Sequence, residues 1–248
     1  MAYTKRLDGR KSFEDFRSIE AEAGVLVNAD GSARFKIGNT EAIAGVFGPK
    51  ELHPRFLQDP EKGVLRCIYN LEAFAGMGDR VRPGPSRRSR EISMVTEKAL
   101  LPLVDLKDFP NAVVDVYIEL TQTDAGSRCA GICAASMALA AAGIPMKGLV
   151  VSFAIGKNDN KMIVDPDYME EHYPDYAKEK VDSDEVADIA LAIIPGTNEF
   201  SLLQLDGEVT KKELMDGLRL AIKKSPEIYE IQKQALKNKY KTGVGSNE

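Results

Sequence analysis

The stretch AVVDVYIELTQTDAGSRCAGICAASMALAAAG, residues 112–143, decides the fold. Its first part alternates. Val114, Val116, Ile118 and Leu120 fall on one face, and Asp115, Tyr117 and Glu119 fall on the other, which is the period of a half-buried strand. From Ser127 onward the residues turn small and apolar on every side until Gly143 and Pro145 stop them. That pattern describes a buried helix. The junction, QTDAGSRCAG, is the most informative segment. The first turn of a helix leaves backbone N–H groups unpaired and carries partial positive charge. Gly126 lets the backbone approach a ligand closely, Ser127 adds a hydroxyl and Arg128 a rigid cationic fork. Together they describe an anion site, most naturally for phosphate. Read alone, the three residues also fit a plain N-cap beside a surface arginine.

On the N-terminal side, SIEAEAGVLVNADGSARFKIGNTEAIAGVFGP (residues 18–49) has apolar runs broken at Asn28–Gly31 and Gly38–Thr40, so antiparallel sheet is expected. A short strand, VLRCIY (64–69), leads into a Gly/Pro/Arg-rich loop from Gly76 to Pro85. Ile92, Val95, Ala99 and Leu103 recur at helical spacing within residues 89–104. On the C-terminal side, GLVVSFAIG and MIVD flank the turn KNDNK. An acidic insertion, Pro166 to Val186, precedes the strand pair ADIALAII and FSLLQL. Thr210 and Glu213 form a capping box before one helix, and Ser225-Pro226 is expected to start another. The order sheet, helices, sheet, helices predicts an α+β chain of two similar halves, residues 1–146 and 147–240, with 241–248 as a frayed tail.

Composition narrows the function. The 248 residues are 44% apolar and 29% charged with a net charge of -5, which excludes a disordered chain. No apolar run approaches the roughly 18 residues of a membrane span, and MAYTKRLDGRK has no apolar core for secretion. Cys67, Cys129 and Cys133 suggest no disulfide framework, so a cytoplasmic protein is expected, with Cys129 and Cys133 in the core. Two histidines and no CxxC exclude a structural zinc site. A pI near 5.3 argues against coating nucleic acid through overall charge. Locally, however, Arg80, Arg82, Arg87, Arg88 and Arg90 form a patch.

Arg87 and Arg88, in PGPSRRSREIS (83–93), stand at a helix start, where cations oppose the macrodipole by some tenths of a kcal/mol. A bound anion would remove the conflict. Asp188 stands at the mouth of an otherwise apolar strand, with Asp182 and Asp184 shortly before it. Two carboxylates beside a phosphate repel it unless one is protonated or a divalent cation such as Mg²⁺ lies between them. His53 beside Arg55 is a candidate contact for a polyanion, and His172 has no evident partner. No catalytic triad, P-loop lysine or dinucleotide fingerprint is present.

Five spaced segments, RLDGRKSFEDFRSI, NADGSARFKIGNT, GPKELHPR, PGPSRRSREIS and TQTDAGSRCAGI, resemble the RNase PH family, and more narrowly the catalytic ring subunits of the archaeal exosome. The resemblance covers residues 5 to about 210. It implies an RNase PH-like α+β fold of two βαβ-type halves with mixed sheets and packed helices. It further implies a phosphate-dependent 3′-to-5′ exoribonuclease acting on RNA 3′ ends, with inorganic phosphate as co-substrate and Mg²⁺ as a candidate cofactor. Implied partners are a non-catalytic paralogue alternating in a hexameric ring and RNA-binding cap subunits, with neither membrane nor DNA. Carried over by motif, phosphate falls to Gly126, Ser127, Arg128 and Arg88. RNA falls to Arg87 and Arg88, with Arg55, Arg66 and His53 as further contacts. The catalytic acids, and the ligands of any metal, fall on Asp182 and Asp188. The insertion lengthens the segment before Asp188, so Asp184, Asp165 and Asp167 are alternatives to Asp182. Rival readings are a non-catalytic ring subunit, a bacterial-type tRNA-trimming homohexamer, and an RNA-binding module without chemistry.

Overall fold

The structure is a computed structural model, and it describes residues 5–77, 80–82, 84–159, 161–172 and 186–242. Its first sheet contains β1 (Ile19–Ala23), β2 (Gly31–Ile37), β3 (Thr40–Glu51), β4 (Val64–Leu71) and β5 (Ala112–Gln122), in spatial order β1-β2-β3-β5-β4. β4 runs parallel to β5, and the other neighbours are antiparallel. The helix α1 (Arg87–Leu100) makes the crossover between the parallel pair, as parallel strands require a long connection. The second sheet contains β6 (Val151–Asn158), β7 (Lys161–Val164), β8 (Val186–Ile194) and β9 (Glu199–Gly207), in order β7-β6-β8-β9, all antiparallel.

The helix α2 (Ser127–Ala141) packs on β2, β3 and β5 of the first sheet and on β6 and β8 of the second. This explains its composition. Sandwiched between layers, it has no polar face, and Ala130, Ile132, Cys133, Ala134, Met137, Ala138 and Leu139 are fully buried. Its small side chains allow close approach. A Cβ added to Gly31 on β2 would lie 2.3 Å from the backbone nitrogen of Ala142, so only glycine fits there. Cys129 and Cys133 are buried free thiols, as expected. Burial pushes Cys129 up to about 12, which keeps it an unreactive thiol at neutral pH.

Two expectations need correction. Asp115 was expected on the polar face of β5, yet it is fully buried. Its neighbours on the flanking strands cover it: Arg66 on β4 donates to its two oxygens at 2.6 and 2.9 Å, and Lys50 on β3 lies 2.8 Å away. Burial raises its pKa, but the two cations outweigh that and hold the carboxyl below its usual range.

The second correction concerns the C-terminal helices. A single helix, α4 (Lys211–Thr242), runs straight through Pro226. Proline removes the N–H that would bond the carbonyl of Ile222, and the Ser225 hydroxyl donates to that carbonyl instead, at 3.2 Å. Ala221, Ser225, Ile228, Gln232 and Ala235 are all buried, one stripe that continues on both sides of the proline. Packing of that stripe overrides the local break. The expected capping box is present, with Thr210 N–H to Glu213 at 2.7 Å and Glu213 N–H to the Thr210 hydroxyl at 3.3 Å. Among the described residues, no helix is long and apolar enough to cross a membrane.

Candidate active site

The buried helix opens at Gly126, whose φ of 63° lies in the left-handed region and follows Ala125 at 61°. Two successive left-handed residues turn the chain sharply out of β5, and glycine adopts that conformation without the Cβ penalty. The turn is pinned from several sides. The Thr40 hydroxyl accepts from the Asp124 N–H at 2.8 Å and donates to the Ala125 carbonyl at 2.6 Å. The Asp124 carboxylate accepts from Asn39 at 3.1 Å and from the Tyr168 N–H at 3.1 Å. Ser127 to Cys129 then form the first turn of α2, whose N–H groups have no partner within the helix.

A cavity of about 350 Å³ opens beside this turn and is lined by Arg88, Gly126, Ser127, Arg128, Glu171 and Asp188, with Tyr168 and His172. Arg88 is delivered by the first turn of α1. Ser86 caps that helix: its hydroxyl accepts from the Ser89 N–H at 3.0 Å, and the Ser89 hydroxyl accepts from the Ser86 N–H at 2.8 Å. Arg128 donates to the Gln204 side chain on β9 at 2.6 Å, which anchors its guanidinium at the cavity. Beneath the turn, burial pushes the Tyr69 phenol up to about 12, against the pull of Ser127, Arg88 and Arg128.

The acidic groups stand in the same cavity. Asp188 occupies β8 directly across from Asp206 on β9 and from Gly156 on β6. Its Oδ1 is buried with no hydrogen-bond partner among the described residues. Glu171 ends α3 (Tyr168–Glu171), a turn of helix capped by Asp167, and lines the cavity together with Gly126. Both carboxyls are raised. Burial does most of this in each case. The charge of Asp188 adds to it at Glu171, and Asp206 adds to it at Asp188, where Arg128 opposes it. An unpartnered buried oxygen beside a second carboxylate fits a Mg²⁺ ion held by one or two carboxylates and by substrate oxygens. No cluster of three or more ligating residues exists among the described residues.

A raised carboxyl pKa has a definite sign in stability. Above the unfolded pKa the unfolded chain has lost the proton that the folded chain still holds, so stability falls as pH rises towards the folded pKa. Glu171→Gln removes that cost and is therefore expected to raise Tm at pH 8, while having little effect at pH 4. About 1 kcal/mol of relief corresponds to a shift of about 2–4 °C in a chain of this size. Thermal scans of both proteins at the two pH values check this, and equal shifts at both would contradict it.

A family model described as the 3′ exoribonuclease family, domain 1, matches residues 15–145, and its domain 2 counterpart matches residues 148–224. The chain belongs to the RNase PH family of 3′ exoribonucleases. Among its relatives, the exosome complex component Rrp41 of Thermococcus kodakarensis is 47% identical over 236 residues, 95% of this chain and 90% of the relative. The Methanopyrus kandleri component of the same name is 43% identical over 235 residues, 95% and 93% of the two chains. The fold is shared with rice (Oryza sativa) Rrp46, at a TM-score of 0.79 and 22% identity, covering 94% of this chain and 100% of that one. A chain of the Archaeoglobus fulgidus exosome with RNA bound to the active site superposes at 0.75 with 24% identity, covering 92% of each.

Within this RNase PH chain, the structure brings Arg88, Gly126, Ser127, Arg128 and Asp188 to one cavity. The other expected residues stand elsewhere. Arg87 is exposed and does not line the cavity. His53 and Arg55 sit by the turn Arg55–Leu57, where both contact the exposed Glu51, at 3.6 and 3.8 Å. Arg66 is engaged by Asp115, five residues along β4 from the cavity-lining Leu71, or about 16 Å at strand spacing. Asp182 and Asp184 lie outside the described residues. Asp165 and Asp167 do not line this cavity: Asp165 is bound by Arg17, and Asp167 caps α3. His172, which had no evident partner, stacks on Tyr168 at 4.3 Å and bonds the Tyr168 carbonyl at 2.9 Å. Glu171 was missed, read as one of many solvent-facing acids in the insertion. The signal for it was the Asp167-x-x-Glu170 capping pattern, which marks a helix start and so fixes where Glu171 points.

Proposed function

We propose that this chain shortens RNA from its 3′ end by phosphorolysis, as the catalytic subunit of an archaeal-type exosome ring. The observation that carries the reading is the meeting of Arg88 and the Gly126–Arg128 turn with Asp188 and Glu171 in one cavity. Inorganic phosphate sits on the turn, held by backbone N–H groups and by Arg128 and Arg88, in line with the last phosphodiester. Its oxygen attacks that phosphorus and the bond to the 3′ oxygen of the preceding nucleotide breaks. The products are a nucleoside diphosphate and an RNA one nucleotide shorter. Positioning and charge neutralisation supply most of the acceleration in such a transfer.

The leaving 3′ oxygen needs a proton. The Glu171–Asp188 pair supplies it, because burial keeps a proton on the pair at a higher pH than an ordinary carboxyl would. Asp182, which the motif pairs with Asp188, remains the expected third carboxyl of the site. With the pair deprotonated instead, a Mg²⁺ ion held by Asp188 and Glu171 would take the proton's place and neutralise charge on the leaving oxygen. Arg87, Arg55, Arg66 and His53 serve as RNA contacts outside the cavity. The assembly partners are a non-catalytic paralogue in the ring and RNA-binding cap subunits, in the cytoplasm. The two halves, 1–146 and 147–240, act as one unit, since the site takes Arg88 and Arg128 from the first and Glu171 and Asp188 from the second.

The test is to incubate the chain with its ring partner and end-labelled RNA, with and without phosphate, and to identify the released nucleotide. Nucleoside diphosphates that appear only with phosphate support the reading. Monophosphates released without phosphate, or RNA bound but never shortened, overturn it.

A further inference from the structure

We propose that Arg17, which lies behind the phosphate turn and outside the catalytic cavity, is the positioning residue that sets that turn relative to the carboxylate segment. The proposal rests on the phosphorolytic reading above. Arg17 is 8% exposed, and its guanidinium is shared between two backbone segments. Nε and Nη2 donate to the two carboxylate oxygens of Asp165 at 2.9 and 2.6 Å, and the Arg17 N–H adds a third bond at 3.0 Å. Nη1 donates to the backbone carbonyl of Asp124. The first partner belongs to the second half of the chain and the other to the first half.

Both partners stand at consequential places. Asp124 leads directly into Ala125 and Gly126, the two left-handed residues that open α2. Arg17 Nη2 lies 3.6 Å from where a Cβ on Gly126 would be, so the guanidinium braces the turn from behind. Asp165 is itself left-handed, with φ 52°, and begins the segment that runs through Asp167 and α3 to Glu171. Non-glycine residues persist in that region only where their surroundings over-determine them. One planar fork therefore fixes the anion-binding turn and the carboxylate facing it, and small errors in such spacing are costly to a transfer reaction.

Arg6 provides an internal control. It grips Glu170 with the same two-bond geometry, at 2.8 and 2.7 Å, and ties the same segment to the N-terminal strand entry without touching the turn. A purely structural tie makes the two arginines equivalent. A positioning role makes them different.

The experiment compares Arg17→Lys and Arg6→Lys in the ring assembled with the partner subunit. Lysine keeps the charge and loses the fork. Phosphate is titrated at saturating RNA, and RNA affinity is measured without phosphate. Arg17→Lys is expected to lower kcat/KM for phosphate by about 10²-fold, with RNA affinity unchanged, while Arg6→Lys keeps the wild-type phosphate efficiency. Asp165→Asn, which keeps the shape and weakens the fork's anchor, is expected to move the same parameter in the same direction, and it decides the matter if Arg17→Lys fails to assemble. Phosphate efficiency at the wild-type level in the Arg17 and Asp165 variants overturns the proposal, as do equal losses in the Arg6 and Arg17 variants. If the wild-type ring itself releases no diphosphate, the phosphorolytic reading has failed, a result distinct from either.

Discussion

Asparagine in place of Asp188 is expected to lower kcat for phosphate-dependent shortening by about 10²–10⁴-fold, the range lost with a positioned proton donor, and to leave RNA affinity at the wild-type value. The substitution keeps the size of the side chain and its place opposite Asp206 and Gly156, so β8 retains its register. What changes is the buried Oδ1, which has no partner among the described residues and is therefore available to the reaction. Glu171→Gln is expected to cause a loss of the same order, because the two groups share one cavity and one proton. Asp182→Asn, at the position that the motif pairs with Asp188, is likewise expected to lower kcat while leaving RNA affinity unchanged. Single-turnover rates for the three variants check this directly. A large loss at Asp182 with full activity at Glu171 would assign the proton to the Asp182–Asp188 pair alone.

Arg128→Ala is expected to lower kcat/KM for phosphate by about 10²–10³-fold, the cost of removing one preorganised donor to a developing anion. The effect is expected chiefly in the concentration of phosphate required. Arg128 stands in the first turn of α2, and Gln204 holds its guanidinium in place at 2.6 Å, so it is already positioned at the cavity. The alanine variant keeps the turn itself, because that conformation is enforced by Thr40, Asn39 and Arg17 rather than by Arg128. Residual activity at high phosphate is therefore expected. A phosphate titration at saturating RNA checks both statements, and an unchanged phosphate dependence would remove Arg128 from the anion site.

The readable parts of the sequence were those where local pattern and tertiary environment agree. α2 has no polar face because it lies between two sheets, and its glycine-led start shows equally in the residues and in the backbone. β5 alternates as expected except at Asp115, where the partners that permit burial come from β3 and β4, far away in the chain. Periodicity cannot reveal such partners. Pro226 misled for the opposite reason: a strong local stop was overridden by a buried stripe and one serine hydroxyl.

The acidic half of the site was the least readable. Glu171 sits among many carboxylates of similar appearance, and only the fold separates the one that lines the cavity from those around it. Arg6 and Arg17 were visible only as part of a motif. Their buried pairing with Glu170 and Asp165 joins segments that no local pattern connects.

The central claim is that the turn opening α2 grips inorganic phosphate, and a crystal structure of the assembled ring grown in phosphate tests it most directly. The anion is expected within hydrogen-bonding distance of the backbone N–H groups at residues 126–128 and of the Arg128 and Arg88 guanidinium groups. Phosphate absent from that turn at saturating concentration would contradict the account.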